Sequence, residues 1–554
     1  MAATLSPSPK QQFFDANGVP LAGGKLYSYT AGTTSPLVTY VDASGTTTNT
    51  NPVILDSRGE ANVWLGAATY KLALYSATNV LIWTVDDITA AATDTLAALA
   101  ASGGSSLVGY LPAGTGAVAT TVQTKLRESV SVLDFMTAAQ IADVQAGTAL
   151  VDVTTALLAA KTYAVSRLPC ELYFPKGIYA YTELGNFAYS GLTLAGESSG
   201  SVILKCNNVS ALHTALLFDA FASGSPTDPF IQQCNLKNIT VRGNSNTLRV
   251  IRAQGLARCY WESVTVANAS NSVGIGVLLQ GCSINTFVNL TCSTDLYPAM
   301  SPIPLNGMQL TNGFRAAVDI GQSTNNTFIN AIMEGMPVGT NLVLADQNTF
   351  IGGTDESCTI YGTSISSTSR FNTFIGRGYE NIAGTADVID AGTSSQFQNC
   401  YSLKSIILQG RNAKITGGIH ESITVQSSAV KSVVTDLTVN YAGTGTSFTD
   451  SGIATEWKNL YNQQTAAFIY PLAARTAIAI GASPATWTND TGQYVTVVMQ
   501  TGTVSQTRMF RSGNPYQVAV SAPNVYLLAP TDAIEFTYTV APSVSYVPQN
   551  GFQG

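Results

Sequence analysis

Charge is scarce in this chain: only 11% of its 554 residues are Asp, Glu, Lys or Arg, and they sum to −7. No basic stripe of the kind phosphate contacts require is present, so nucleic acid is excluded as a partner. Histidine is scarcer still, with His213 and His420 alone, and no Cys-x-x-Cys pair occurs. A structural zinc site or a Ser-His-Asp triad therefore lacks its raw materials, and no metal or cofactor is expected. His420 reads as a surface turn residue. No apolar run approaches ~18 residues, which argues against membrane insertion. The opening stretch from Met1 to Lys10 has no basic segment followed by an apolar one, so no secretory signal is expected and synthesis is cytoplasmic. The eight cysteines, Cys170 to Cys400, form no close pairs and several follow a longer period, which suits buried free thiols better than disulfides.

What the chain does have is a repeat. FINAIME (Phe328 to Glu334), FIGGTDE (Phe350 to Glu356) and FIGRGYE (Phe374 to Glu380) start 22 and 24 residues apart, and ITGGIHE (Ile415 to Glu421) follows 41 further on, close to two periods. Asn-Thr precedes each of the first three, at Asn326, Asn348 and Asn372, with an earlier copy at Asn285. A second register, Cys234-x-Leu236 and Cys259-x-Trp261, continues to Cys282-x-Ile284. A period near 23 marks a solenoid, and β-branched, Asn, Gly and Ser content without helical or leucine-rich spacing makes it a parallel β-helix. Matching residues then stack at ~4.8 Å, giving an Asn ladder whose amides bond to one another and a Phe column at 328, 350 and 374.

At this length three or more domains are expected. Residues 1–90 alternate apolar stretches with turns and read as a small antiparallel β domain. Residues 91–130, including Ala101-Ser-Gly-Gly-Ser-Ser106, form a neck or linker. Residues 131–167 hold an amphipathic helix, with Asp152 as N-cap and Leu157, Ala160, Ala164 and Val165 on one face, which caps the open end of the solenoid. The β-helix spans 168–460 and amounts to about twelve turns, a shaft on the order of 60 Å. In 461–554 the period breaks; Tyr494 to Met499, Val525 to Leu528 and Ile534 to Val540 suggest a C-terminal β-sandwich for trimerisation or receptor binding.

Two stretches carry a family resemblance. FFDANGVPLAGGKLYSYTAGTT (from Phe13), NPVILDSRGEANVWL (from Asn51) and YKLALYSATNVLIWTVDDI (from Tyr70) resemble the head-binding domain of podovirus tailspikes and tail fibres. The series Asp134-Phe135, amphipathic helix, Tyr173-Phe-Pro-Lys-Gly-Ile-Tyr179 resembles the entry to the pectate-lyase-like, right-handed parallel β-helix of tailspikes, departing from it at Met136-Thr-Ala-Ala139. The resemblance implies an all-β homotrimer located in the virion tail. It would attach through residues 1–90 to phage tail or portal-adaptor proteins and bind host lipopolysaccharide or capsule.

The acids that end the repeat are the one constellation the period builds. Glu334, Asp355, Glu356 and Glu380 are the catalytic candidates, extended by Asp387 and Glu421. Acids ~5 Å apart on adjacent coils, or ~10 Å on alternate ones, bracket the separations used in retaining and inverting glycoside hydrolysis. At ~5 Å two carboxylates repel by about 1 kcal/mol in water and about 3 kcal/mol at an effective dielectric of 20. Such a row stays wet, takes a cation or holds a proton, the last being what a general acid needs. The plain alternative is a solvated acid at each strand exit, and recurrence with the fold's own period favours it. Arg377 and Tyr379, with Trp487, Arg508, Arg511 and Tyr516 near the C-terminus, are the carbohydrate-binding candidates. Arg315, Arg370, Arg377 and Tyr379 also supply the residue types of a lyase, without a diagnostic spacing; hydrolysis is the better match.

Overall fold

The computed structural model describes residues 4–89, 93–223, 225, 227–270, 273–293, 303–315, 318–439, 448–462, 467–469, 476–492, 494–519 and 524–548. The chain divides into two units, 1–128 and 129–554.

In the first unit, strands Lys25–Thr30, Val53–Ile54, Thr69–Tyr75 and Leu81–Thr89 form an antiparallel sheet, and Thr4–Gln12 pairs with Glu60–Leu65. Period-two alternation buries Leu26, Val63, Leu65, Leu72 and Leu74 in one small core. The Ala/Gly/Ser-rich stretch that follows holds helices Thr93–Ala100 and Val122–Leu126, and belongs to this unit.

The second unit is a parallel β-helix closed at its N-terminal end by two helices. Val130 pairs with Leu172 of the first coil. Thr137 and Gln140 form a reciprocal capping box at the start of Ala138–Ala146. Helix Thr154–Val165 buries Leu157, Ala160 and Ala164 against the first coil. Its cap is Val153, and the Asp152 carboxylate accepts the Thr154 N–H at 2.8 Å from one residue earlier.

One interior column runs the length of the shaft: Leu172, Leu194, Leu236, Trp261, Phe287, Phe328, Phe350, Phe374, Phe397, Ile415, Val434 and Trp457, each in register with the next. These twelve rungs rise by roughly 50 Å at the interstrand spacing. The five phenylalanines stack nearly parallel, with ring centroids 4.6 to 5.0 Å apart. Beside them runs the Asn ladder. The amide of Asn285 donates to Asn326 Oδ1 (2.9 Å), that of Asn326 to Asn348 Oδ1 (2.9 Å), and that of Asn348 to Asn372 Oδ1 (3.1 Å). Each acceptor also takes the backbone N–H of the residue below it, so a buried bend keeps its polar groups paired.

Equal spacings conceal unequal structure. The 41 residues from Phe287 to Phe328 are one rung with an insertion, whereas the 41 from Phe374 to Ile415 are two rungs through Phe397. The cysteine register is corrected in the same way: Cys234 and Cys259 share a column, but its next member is Asn285, because Trp261 pairs with Phe287. Cys282 stands in a neighbouring column, where its N–H meets Ser323 Oγ. All eight cysteines are free thiols, and all but Cys170 are buried.

Positive φ recurs at matching bends, at Asn289, Asn330, Gly352, Gly376 and Asn399, a conformation that favours Asn and Gly, although Ser263 and Asp436 adopt it at the same bend. At Gly353 a Cβ would lie 2.1 Å from the Ala331 carbonyl oxygen, so this strand entry also requires glycine for space.

Beyond the shaft, sheets of Thr476–Ile478, Val544–Pro548, Val495–Met499 and Asn524–Leu528, and of Ala485–Thr488, Ala533–Val540, Thr503–Arg511 and Asn514–Ala519, enclose a separate core of Val495, Val497, Leu528, Ile534 and Phe536. This is the expected β-sandwich.

Candidate functional site

Each full coil of the shaft's central part contributes three strands. The first carries the Phe column inside; the second, across an Asn or Gly bend, comprises Thr291–Ser293, Ile332–Glu334, Thr354–Glu356 and Gly378–Glu380. In that second strand the middle residue points inward and its two neighbours outward. Ser293, Glu334, Glu356 and Glu380 are therefore consecutive partners in one outward row. Ser293 Oγ donates to Glu334 Oε2 at 2.5 Å, and the Asn381 amide donates to Glu356 Oε1 at 3.2 Å. All three glutamates are partly exposed, at about 4.8 Å per rung.

The same alternation separates Asp355 from Glu356. Asp355 lies in the inward column Cys292, Met333, Asp355, Tyr379, Ser402, His420 and is fully buried. It is ion-paired with Arg377, also fully buried: Nη2 donates to Oδ1 at 2.7 Å and Nε to Oδ2 at 3.2 Å. Thr340 and Thr363 hydroxyls donate to the same carboxylate at 3.0 and 2.5 Å. The remaining guanidinium N–H groups meet the carbonyls of Ala331, Gly352 and Thr354. Arg377 thus neutralises the interior acid and does not touch the glutamate row. Tyr379 is buried as well, and desolvation holds its hydroxyl well above the ordinary tyrosine range. None of Asp355, Arg377 and Tyr379 presents its side chain to a polysaccharide outside the coil.

Asp387 and His420 are also interior. Asp387 accepts from Ser402 Oγ and Lys404 N, both at 2.7 Å, and burial pushes its pKa up to about 6. His420 is buried where a surface turn was expected; desolvation lowers its pKa to about 4. Glu421 is partly exposed on the second face.

Lower on the second face, beneath the outward column of Ile332 and Thr354 that adjoins the glutamate row, lies a groove of about 330 Å³ lined by Ser199, Gly200, Thr240, Ser263, Thr265, Asn289 and Thr291. Thr265 pairs with Thr291, and Thr291 pairs with Ile332 of the strand that ends in Glu334. At the upper rim the Asn330 amide donates to Asn289 Oδ1 at 2.8 Å. Hydroxyls and amides offer the mixed donors and acceptors that sugar hydroxyls require, and the Glu334 carboxylate, one rung higher in the adjoining column, adds a strong acceptor. Sequence reading missed this groove because its residues come from separate coils and share no motif; the only signal was Thr at 240, 265 and 291.

In the sandwich, Trp487 pairs with Ile534 on the inner face and stacks on Tyr546 at 5.1 Å, closing the core. Arg508 is ion-paired with Glu535 on the outer face. Arg511 binds Asp532 through Nε (2.9 Å) and Nη2 (2.8 Å) and lies over the Tyr516 ring, whose hydroxyl donates to Asp532 at 3.0 Å. Arg511, Tyr516 and Asp532 are therefore brought together, with the Tyr516 ring exposed, while Trp487 is turned away from them into the core. The side chain of Arg315 lies outside the described residues. Among the described residues no cluster of three or more His, Cys, Asp or Glu side chains is arranged to hold a metal, and no helix is long and apolar enough to cross a membrane.

A parallel β-helix with a polar groove and a row of acids on one face defines the molecule's class. No protein-family model matches the chain, and no curated protein matches it. Among solved structures it is similar to ORF18 of Geobacillus virus E2, at 14% identity over 87% of this chain and 86% of that one, with a TM-score of 0.42. It is also similar to a double mutant of the tailspike protein of E. coli bacteriophage HK620, at 12% identity over 83% and 100% of the two chains, TM-score 0.42. A mutant of that tailspike in complex with a hexasaccharide aligns at 13% identity over 83% and 100%, TM-score 0.40. At these identities the likeness is one of fold.

Proposed function

We propose that this chain is a phage tailspike or tail fibre, attached to the virion tail through residues 1–90 and binding host surface polysaccharide along the second face of its shaft. The observation that carries the reading is the hydroxyl-lined groove from Ser199 to Thr291, continuous on one sheet with Glu334, Glu356 and Glu380. A saccharide laid along this face exchanges hydrogen bonds with Thr and Asn side chains, and a homotrimer raises the avidity of such a weak site through effective concentration. The resemblance of residues 1–90 to head-binding domains supports the attachment role, and the exposed Tyr516 ring beside Arg511 supports a secondary sugar contact at the sandwich.

The test is binding of the purified chain to host lipopolysaccharide or capsule. Thr265→Val with Thr291→Val is expected to weaken binding at least tenfold with the fold intact; undiminished binding would remove the groove from the reading. A second reading, a depolymerase acting by glycoside hydrolysis, is favoured by the three glutamates on consecutive rungs. New reducing ends that disappear in Glu356→Gln or Glu380→Gln establish it, and binding without product leaves an adhesin.

A further inference from the structure

At the corner where each coil turns into its first strand, every rung from Arg258 to Lys431 places one residue in the left-handed region, with φ of 53° to 59°. The backbone imposes it: the corner N–H groups of Ile284, Asn325, Gln347 and Phe371 donate to carbonyls of the rung above at 3.1, 3.2, 2.9 and 2.8 Å. Asparagine tolerates this conformation well and fills the corner at Asn325 and Asn412. Ile284 is β-branched and Phe371 is bulky, so both carry backbone strain that asparagine would avoid. Burial does not offset it, since the two side chains are 54% and 48% exposed. Exposure alone would need no account, and strain is commonly offset by packing; together they mark two side chains that the fold itself does not use.

Their surroundings define what they fit. Between Ile284 and Phe371 the corner carries the exposed amides of Asn325 and Gln347, so four consecutive rungs present an apolar group, two amides and an aromatic ring over a rise of ~14 Å. Two residues further along each coil the outward side chain is threonine, at Thr286, Thr327, Thr349 and Thr373, in register. On the other side Arg370 is fixed by Asp346, whose Oδ2 accepts from Nε at 3.0 Å and from Nη2 at 2.7 Å. Arg370 Nη1 makes no hydrogen bond among the described residues.

We propose that this corner, from Ile284 to Phe371, is a further saccharide-binding strip that takes a neutral polysaccharide laid along the shaft. The inference rests on the polysaccharide reading and adds a site separate from the groove. The C–H face of a sugar ring packs on the Phe371 ring and on Ile284, while its hydroxyls exchange hydrogen bonds with the amides, the threonine row and the spare guanidinium N–H groups. The centre of a protein interface is contiguous and apolar, whereas here amides separate the two apolar side chains. An anionic chain would want net positive charge, and Asp346 cancels Arg370.

The experiment is biolayer interferometry of the full chain on immobilised host lipopolysaccharide or capsule, with thermal unfolding and sedimentation velocity on each variant. Phe371→Asn is expected to weaken binding at least tenfold, equally at low and high salt, with an unfolding midpoint equal to or above that of the wild type because strain is relieved. Phe371→Tyr, which keeps the ring, is expected to bind as the wild type does. Undiminished binding by Phe371→Asn, with Thr265→Val, Thr291→Val still weakened, would overturn the strip and leave the groove standing. A loss confined to low salt would overturn the neutral ligand. A lowered midpoint in Phe371→Asn would make the ring structural, and altered sedimentation would make it a contact between chains; either overturns the proposal. A wild-type chain that binds no host polysaccharide would remove the functional reading and the strip with it.

Discussion

Replacing Arg377 with methionine would leave Asp355 charged inside the coil, with two threonine hydroxyls as its remaining donors. Both side chains are fully buried, so solvent cannot take over the lost bonds. Removing one partner of such a pair costs about 3 to 5 kcal/mol, because the survivor is a desolvated charge. Asp355→Leu alone is expected to cost as much, since the guanidinium would lose its only carboxylate and keep carbonyl and hydroxyl acceptors. The double substitution Asp355→Leu, Arg377→Met removes both charges and fills similar volume, and is expected within about 1 kcal/mol of the wild type. The coupling in the double-mutant cycle is then several kcal/mol, far above the 0.3 to 0.5 kcal/mol scatter of independent sites. Guanidinium unfolding followed by tryptophan fluorescence reads the cycle. Should unfolding prove irreversible, unfolding rates at fixed denaturant serve instead, with each single variant faster by two or more orders of magnitude. Single substitutions costing under 1 kcal/mol each, or adding without coupling, would refute the view that this pair locks neighbouring coils.

The Asn ladder and Phe column make matching predictions. Asn348→Ala leaves both the N–H and the amide of Asn326 without their acceptor and is expected to cost about 2 to 4 kcal/mol by thermal unfolding. Phe350→Ala opens a cavity between two stacked rings and is expected to cost about 3 to 5 kcal/mol. Burial raises the pKa of Asp390 to about 6, so the native state binds the extra proton; its contribution is full below the ordinary carboxylate range and is lost as pH rises towards 6. Asp390→Asn is therefore expected to raise stability at pH 7.5, by on the order of 3 kcal/mol, and to change it little at pH 4. His420 works in the opposite sense: its pKa falls to about 4, so stability present above pH 6.5 is lost on acidification towards 4, and His420→Gln is expected to flatten that limb of a denaturation-midpoint profile.

Much of the shaft was legible because a solenoid writes its period into the chain: Asn326, Asn348 and Asn372 recur where a bend needs amide acceptors, and Phe328, Phe350 and Phe374 recur where the coil needs filling. The glutamate row was legible for the same reason. The split between Asp355 and Glu356 was not read, although the position of Asp355 is shared with Met333 and Tyr379, large side chains that prefer an interior. His420 misled in the same column: in ITGGIHE it holds the position of Met333, Asp355 and Tyr379, a sign of the interior that its polar ring outweighed.

Local periodicity by itself determined the coil, its ladders and the row of acids, because each coil must repeat the shape of the one below. Which coils carry insertions, which carboxylate is buried against Arg377, and where Ser199, Thr240 and Thr291 meet in one groove were decided by the stacking, since strand alternation and rung register act between segments that share no pattern along the chain.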